Sequence, residues 1–364
     1  MIFCNQEVET CIIKQANAPG ICKSIYECPT VFKKLQMGKR DYTVCPNSSQ
    51  KLLVCCPIEL SGRELPAQSE FTSTEKPQKL YERKCLEYLE AVYEKPTSVS
   101  LAHNNDNQTT KNERCGFRVV GLVVGGSDAE PREFPHMCLL GYSVNQTIKW
   151  ECGGSLISEK YVLTAAHCIK TGLGEPKIIR IGDLNINSDT DDAEPEEIPV
   201  EENIVHPNYN KKRRKYDIAL LKLQRNVDIN TYRRPACLPS SYDWPYSKAI
   251  VTGWGNTEAI NVLGSSILQK VVLEKFTENE CNNQQFNVNY EIQNCLGSRN
   301  TLIEMDSCQG DSGGPVQIKH PTGICMWEIV GITSFGKSCG AIGIPSVYTR
   351  VYPFNDWIEN IVWK

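Results

Sequence analysis

The chain of 364 residues carries 39 Lys and Arg against 43 Asp and Glu, a formal charge of −4, which leaves no cationic field for a nucleic acid or an anionic membrane to read. A charged fraction of 23% beside 40% hydrophobic residues is that of a globular protein, and no run of about 20 apolar residues is present to span a bilayer. Eighteen cysteines point to disulfides and an oxidising compartment rather than to zinc, since paired Cys-x-x-Cys knuckles are absent and there are only five histidines. At the start, Met1-Ile-Phe-Cys-Asn-Gln-Glu7 has no apolar h-region, so the expectation is a secreted protein whose leader this sequence does not include. Residues 11–56 are too few for a sufficient apolar core, so disulfides among Cys11, Cys22, Cys28, Cys45, Cys55 and Cys56 have to hold that module. Spacing alone leaves 15 pairings open. Residues 57–122 turn polar and read as a linker, within which Tyr81–Tyr93 has apolar residues at helical spacing and predicts one short helix. From Val123 onward, short runs rich in Val, Ile and Leu, such as Lys177-Ile-Ile-Arg-Ile181, recur between Gly, Pro and Asn turns, an all-β pattern. Asn47, Asn107 and Asn145 each begin an N-glycosylation acceptor, which fits secretion.

The chemistry concentrates in Asp306-Ser-Cys-Gln-Gly-Asp-Ser-Gly-Gly-Pro315, which puts Ser312 in a glycine-lined turn whose backbone N–H groups can face an oxyanion. A serine hydroxyl attacks only when a positioned base removes its proton, so a histidine and a carboxylate are required elsewhere. Thr164-Ala-Ala-His-Cys168 supplies His167 and Tyr216-Asp-Ile-Ala-Leu-Leu221 supplies Asp217. Singly, these are an ordinary glycine turn, a satisfied core histidine and a strand-end cap; the constellation raises them. The basic run Lys211-Lys-Arg-Arg-Lys215 just before Asp217 reads first as a solvated loop, with a binding exosite as the alternative.

With Val123-Val-Gly-Gly126, Phe134-Pro135, Cys152-Gly-Gly-Ser-Leu156, Val251-Thr-Gly-Trp-Gly255 and Val347-Tyr-Thr-Arg-Val351 in order around them, these blocks resemble the chymotrypsin-like serine proteases. The six early cysteines, ending in Cys55-Cys56, resemble the clip domain of arthropod proteases, and His136, Arg180-Ile-Gly-Asp-Leu-Asn185 and Ile329–Lys337 are similar to its snake-type subgroup. The resemblance implies an all-β, chymotrypsin-like double β-barrel closed by a C-terminal helix at Pro353–Trp363. A clip domain at 11–56 and a linker with activation segment at 57–122 would precede a protease domain at 123–364. It implies a triad of His167, Asp217 and Ser312, an oxyanion hole from Gly310 and Ser312, and a primary pocket for Arg or Lys built from Asp306, Ser334, Gly336 and Ser346. Phe335 and Ser346 depart from the family's usual tryptophan and glycine and narrow that pocket.

Activation is expected between Leu122 and Val123, whose new amino group would pair with Asp311; Arg118, before Val119-Val-Gly121, is read as a decoy. Leu122 implies an activator with an apolar primary pocket. The other implied partners are a downstream zymogen substrate and a serpin inhibitor, in an extracellular immune or developmental cascade, with no nucleic acid and no membrane. No cofactor is required; Asp183, Asn185 and Glu194 or Glu196 resemble the calcium loop of trypsins, with a solvated acidic loop as the equal alternative. The disulfides implied are Cys11–Cys55, Cys22–Cys45, Cys28–Cys56, Cys152–Cys168, Cys281–Cys295 and Cys308–Cys339. Cys115 would tether Cys237 and Cys85 would join Cys325, with the roles of Cys85 and Cys115 exchangeable; Cys4 and Cys138 have no assigned partner. The rival from another class is a non-catalytic homologue acting as a clip-bearing adaptor, against which the intact triad argues.

Overall fold

Cysteines and Val54 supply the buried side chains described in the N-terminal unit: Cys28, Cys45, Val54, Cys55 and Cys56. The structure, a computed structural model, describes residues 10–13, 18–24, 28, 43, 45, 53–57, 79–91, 126–188, 190–244, 246–255, 264–283, 286–299, 311–320, 326–336 and 344–364. The chain divides into Met1–Thr74 and Glu75–Lys364. In the first unit β1 (Thr10–Ile13), β2 (Ala18–Ser24) and β3 (Leu53–Pro57) form an antiparallel sheet in that order, with Cys22 opposite Cys55 and Ile21 opposite Cys56. Cys28 is bonded to Cys56, and Cys45 and Cys55 are disulfide-bonded as well. The side chains of Cys11 and Cys22 lie outside the described residues.

The second unit begins with α1 (Leu80–Ala91), the helix that the spacing predicts within the linker. Tyr81, Cys85 and Tyr88 recur at helical intervals on one face and all three are buried. That face lies on the catalytic unit. The Tyr81 N–H donates to Glu359 Oε2 at 3.1 Å, the Tyr88 hydroxyl donates to Glu159 Oε2 at 2.8 Å, and Lys79 pairs with Asp356 at 2.9 Å. Cys85 is bonded to Cys237, so the expected Cys115–Cys237 and Cys85–Cys325 bonds are corrected. The helix brings the Cα atoms of Cys85 and Cys237 to 5.2 Å, within disulfide reach, and each sulfur forms one such bond. Cys115, Cys308, Cys325 and Cys339 lie outside the described residues.

Two barrels follow. The first closes β5 (Met137–Val144), β6 (Thr147–Leu156), β7 (Tyr161–Thr164), β8 (Ile178–Ile181), β9 (Glu196–Val205) and β10 (Ala219–Leu223) in the order β10-β7-β6-β5-β8-β9. The run predicted around residues 177–181 is β8, in which Ile179 and Ile181 are buried while Ile178 and Arg180 are less so, the period-2 alternation of a strand with one face inside. The second barrel takes β11 (Lys248–Gly253), β12 (Gln269–Phe276), β13 (Gln293–Gly297), β14 (Pro315–Lys319), β15 (Trp327–Phe335) and β16 (Ser346–Arg350) in the order β11-β14-β15-β16-β13-β12, and the β11–β12 pairing closes it. The short β4 (Ser127–Asp128) adds to β12. The short helix α2 (Glu278–Asn283) is tied to β13 by Cys281–Cys295, and α3 (Asn355–Val362) ends the chain where the apolar stripe predicts a helix.

A buried polar chain links the strands. His136 Nε2 donates to Gln317 Oε1 at 2.5 Å, and Gln317 Nε2 donates to Thr252 Oγ1 at 2.9 Å. Burial pushes the His136 imidazole down to about 3, so it is a neutral donor in a satisfied network. Cys138, beside it, is a free and fully buried thiol.

Candidate active site

His167 stands in a 3-10 turn, Ala166–Cys168, directly after β7, and the Cys152–Cys168 bond fastens that turn to β6. Asp217 precedes β10 and is fully buried. Its carboxylate accepts the His167 Nδ1–H at 2.8 Å on Oδ2 and the His167 backbone N–H at 2.9 Å on Oδ1. The Ser334 hydroxyl adds a third bond to Oδ2 at 2.5 Å, and the Thr349 hydroxyl holds the Asp217 carbonyl at 2.9 Å. Burial alone would raise the Asp217 carboxyl; the opposing charge of His167 and the hydrogen bonds from His167 and Ser334 outweigh it and hold the group below its ordinary value. A carboxylate that stays ionised against the imidazole fixes the tautomer that leaves Nε2 free to take a proton.

Ser312 belongs to the turn between the motif and β14. Its carbonyl accepts the Gly153 N–H at 2.8 Å, so the first barrel pins it one residue from Cys152, whose disulfide partner adjoins His167. Gly313 has φ +77, and a Cβ there would come within 2.3 Å of Thr164 Oγ1 and 2.7 Å of the Gly153 carbonyl oxygen, so the turn demands glycine. Its N–H donates to the Thr333 carbonyl at 2.9 Å.

The remaining expected site residues divide between the described and the undescribed. Gly310, Asp306, Leu122, Val123 and Arg118 lie outside the described residues, as do Asn47 and Asn107. Asp311 lies beneath β11 and Gly255: the Gly255 N–H donates to its Oδ1 at 3.0 Å, and a Cβ on Gly253 would stand 2.0 Å from that oxygen. Gly336 and Ser346 are brought together, since a Cβ on Gly336 would meet Ser346 Oγ at 2.5 Å. Asn145 is exposed at the β5–β6 turn, where it and Gln146 have φ +49 and +68, the left-handed pair of a tight hairpin. Ser334, expected to line the pocket, has its hydroxyl bonded to Asp217 Oδ2, a contact that the spacing does not announce. Its register signal is a bulge between Thr333 and Phe335, which turns an inward residue toward a new partner and is invisible without the partner strand.

Most oxygens of the set resembling a calcium loop already have partners, the buried Asp183 Oδ1 excepted. Arg180 Nε lies 2.7 Å from Asp183 Oδ2; Glu196 is paired with Arg225, and its Oε2 lies 3.1 Å from Arg233 Nε; Asn185 Oδ1 accepts the Asn187 N–H at 3.2 Å. Three arginines among these oxygens do not fit a cation as the side chains stand. Two groupings of metal-ligand side chains occur among the described residues, Cys85 with Cys237 and His320, and Cys152 with His167 and Cys168; in both the cysteines are disulfide-bonded and offer no thiolate.

Two closed barrels carrying a buried Asp–His pair and a serine in a glycine turn define a chymotrypsin-like serine endopeptidase. The trypsin family model matches residues 123–358, and the chain belongs to that family, among the arthropod clip-domain serine proteases of the snake-type subgroup. It is 34% identical to Serine protease snk of Drosophila melanogaster over 95% of this chain and 76% of that one. It is 35% identical to Phenoloxidase-activating enzyme 1 of Spodoptera litura over 75% of this chain and 77% of the relative, and 33% identical to CLIP domain-containing serine protease HP8 of Bombyx mori over 96% and 94%.

Proposed function

We propose that the chain is the zymogen of a secreted endopeptidase that cleaves after Arg or Lys, acting by limited proteolysis on another zymogen in an extracellular immune cascade, of the Toll or melanization kind, or a developmental one. The observation that carries the reading is the buried Asp217 carboxylate bonded to both the backbone and ring of His167, with Ser312 tied to the same corner of the first barrel. His167 takes the Ser312 proton as general base and returns it to the leaving amine, and Asp217 stabilises the imidazolium. The Gly310 and Ser312 N–H groups hold the oxyanion. Asp306 sets the charge preference of a pocket walled by Gly336 and Ser346. Cleavage after Leu122 frees Val123 to pair with Asp311, and a protease whose own pocket is acidic cuts poorly after leucine, so the activator is a different enzyme with an apolar primary pocket.

The test is to incubate the zymogen with proteases of apolar preference, sequence the new N-terminus and profile the P1 residue. The expected outcome is a heavy chain beginning at Val123 with Arg and Lys preference, and loss of that preference in Asp306→Ser. Full activity with a stable N-terminus at Val119, or a profile indifferent to Asp306, would sink the reading.

A further inference from the structure

The basic run before Asp217 forms a lip beside the catalytic pair. Asn210 and Lys215 pair across a tight hairpin, in which the Asn210 N–H donates to the Lys215 carbonyl at 3.0 Å and the Arg213 N–H donates to Asn210 Oδ1 at 3.1 Å. Gln293 Nε2 fixes the Arg214 carbonyl at 3.0 Å from the second barrel. Arg214 and Tyr216 hold φ +47 and +56, a left-handed backbone that costs a non-glycine residue and is kept only where the surroundings impose it. The result is an Arg214 guanidinium with Nη1 3.9 Å from Asp217 Oδ2, its side chain still 37% exposed. That Nη1 is buried and makes no hydrogen bond.

Lys211, Lys212 and Arg213 are exposed on the same hairpin. Among the described residues none of the three side chains is in an ion pair, in contrast to Lys79, Lys149, Lys222, Arg225 and Arg299 elsewhere on the surface. The one acid that Arg214 approaches is already committed to His167 and Ser334. Three unpaired cations in a row, Lys211, Lys212 and Arg213, with Arg214 beside them, therefore present a positive edge within a few residues of the bond-breaking groups.

The geometry points to an acidic stretch of the protein substrate, within a few residues of the cleaved bond, as the partner of this lip. This rests on the protease reading above only for what lies in the cleft. The chain as a whole is at −4, so a long polyanion or an anionic membrane would meet repulsion beyond the hairpin, whereas a short acidic segment held in the cleft meets only the hairpin. The same edge repels further basic residues near the cleaved one, so the lip selects a lone Arg or Lys flanked by acids over a dibasic sequence.

The test uses the activated full chain and three peptides sharing one central Arg, with serine flanks, acidic residues N-terminal to it, or acidic residues C-terminal to it. One acidic peptide should exceed the neutral one about tenfold in kcat/KM at low salt, the sum of a few exposed charge pairs, and the advantage should vanish near ~1 M salt. The variant K211S/K212S/R213S should lose that advantage while keeping the neutral peptide within about twofold. Equal rates on all peptides, or an advantage that survives in the variant, overturns the proposal. Failure to cleave any of the three condemns the Arg preference instead. Binding of the acidic peptides to the activated S312A protein, with and without the lip substitutions, then decides the lip alone: loss of binding in the lip variant supports it, and unchanged binding overturns it. A sulfated polysaccharide held through these three residues with no acidic-peptide preference overturns it in favour of a polyanion site.

Discussion

Ser312, His167 and Asp217 can be found in the sequence because their neighbours are spaced in a family pattern, but what fixes Asp217 cannot. Ser334 reaches it through a bulge and Thr349 through a neighbouring strand, each more than 100 residues away in the chain, and Arg214 reaches it through a left-handed turn. Pairing register and backbone handedness decide such contacts, and neither is written in residue types. Ser312→Ala should abolish hydrolysis of Arg peptides in the activated protein while the thermal unfolding midpoint stays in place, since it removes one hydroxyl; turnover near wild type would refute the triad. Ser334→Ala removes one hydrogen bond to a charged group, worth about 1.5–3 kcal/mol when fully expressed. A fall of about tenfold or more in kcat with little change in KM is expected; a change confined to KM would place the Ser334 hydroxyl in substrate binding instead.

At the scale of elements, the periodicity of residues 81–93 announces a helix, and α1 (Leu80–Ala91) is that helix. Where it docks was beyond the sequence, because a stripe of Tyr81, Cys85 and Tyr88 fits any complementary apolar surface. The partners that select this one, Glu159, Cys237, and Asp356 with Glu359 on α3, lie in three separate stretches of the catalytic unit. The helix thus belongs to the protease unit although its sequence belongs to the linker, and Cys85 is the residue that tethers Cys237. After cleavage at Leu122, wild-type protein should run as one species on a non-reducing denaturing gel. Cys85→Ser should separate into light and heavy chains and Cys115→Ser should remain joined; the opposite pattern would return the tether to Cys115. The six early cysteines are equally instructive, since their number demands disulfides whereas their connectivity depends on a sheet register that sets Cys22 opposite Cys55.

Over the whole molecule, two buried titratable groups outside the triad bound the pH range of stability from opposite sides. His136 is held neutral by burial, with its titration lowered from 6.5 to about 3, against the contrary pull of its bond to Gln317. As pH falls below about 6.5 the unfolded chain takes up this proton and the native chain does not, so stability drops, by up to about 5 kcal/mol near pH 3. Glu328 behaves in the reverse sense. It is buried in β15, where the Ser240 N–H donates to its Oε1 at 3.3 Å, and burial raises it from 4.5 to about 7. Between those values the unfolded chain releases a proton that the native chain keeps, so stability falls as pH rises from about 4.5 to 7 and is level beyond. The two limbs leave a maximum between about pH 4.5 and 6.5. Glu328→Gln removes the upper limb and should stabilise the Ser312→Ala protein by about 3 kcal/mol at pH 8 while leaving it unchanged at pH 4, measured by urea unfolding at both. An equal gain at the two pH values would mean that packing, not ionisation, is what the substitution relieves.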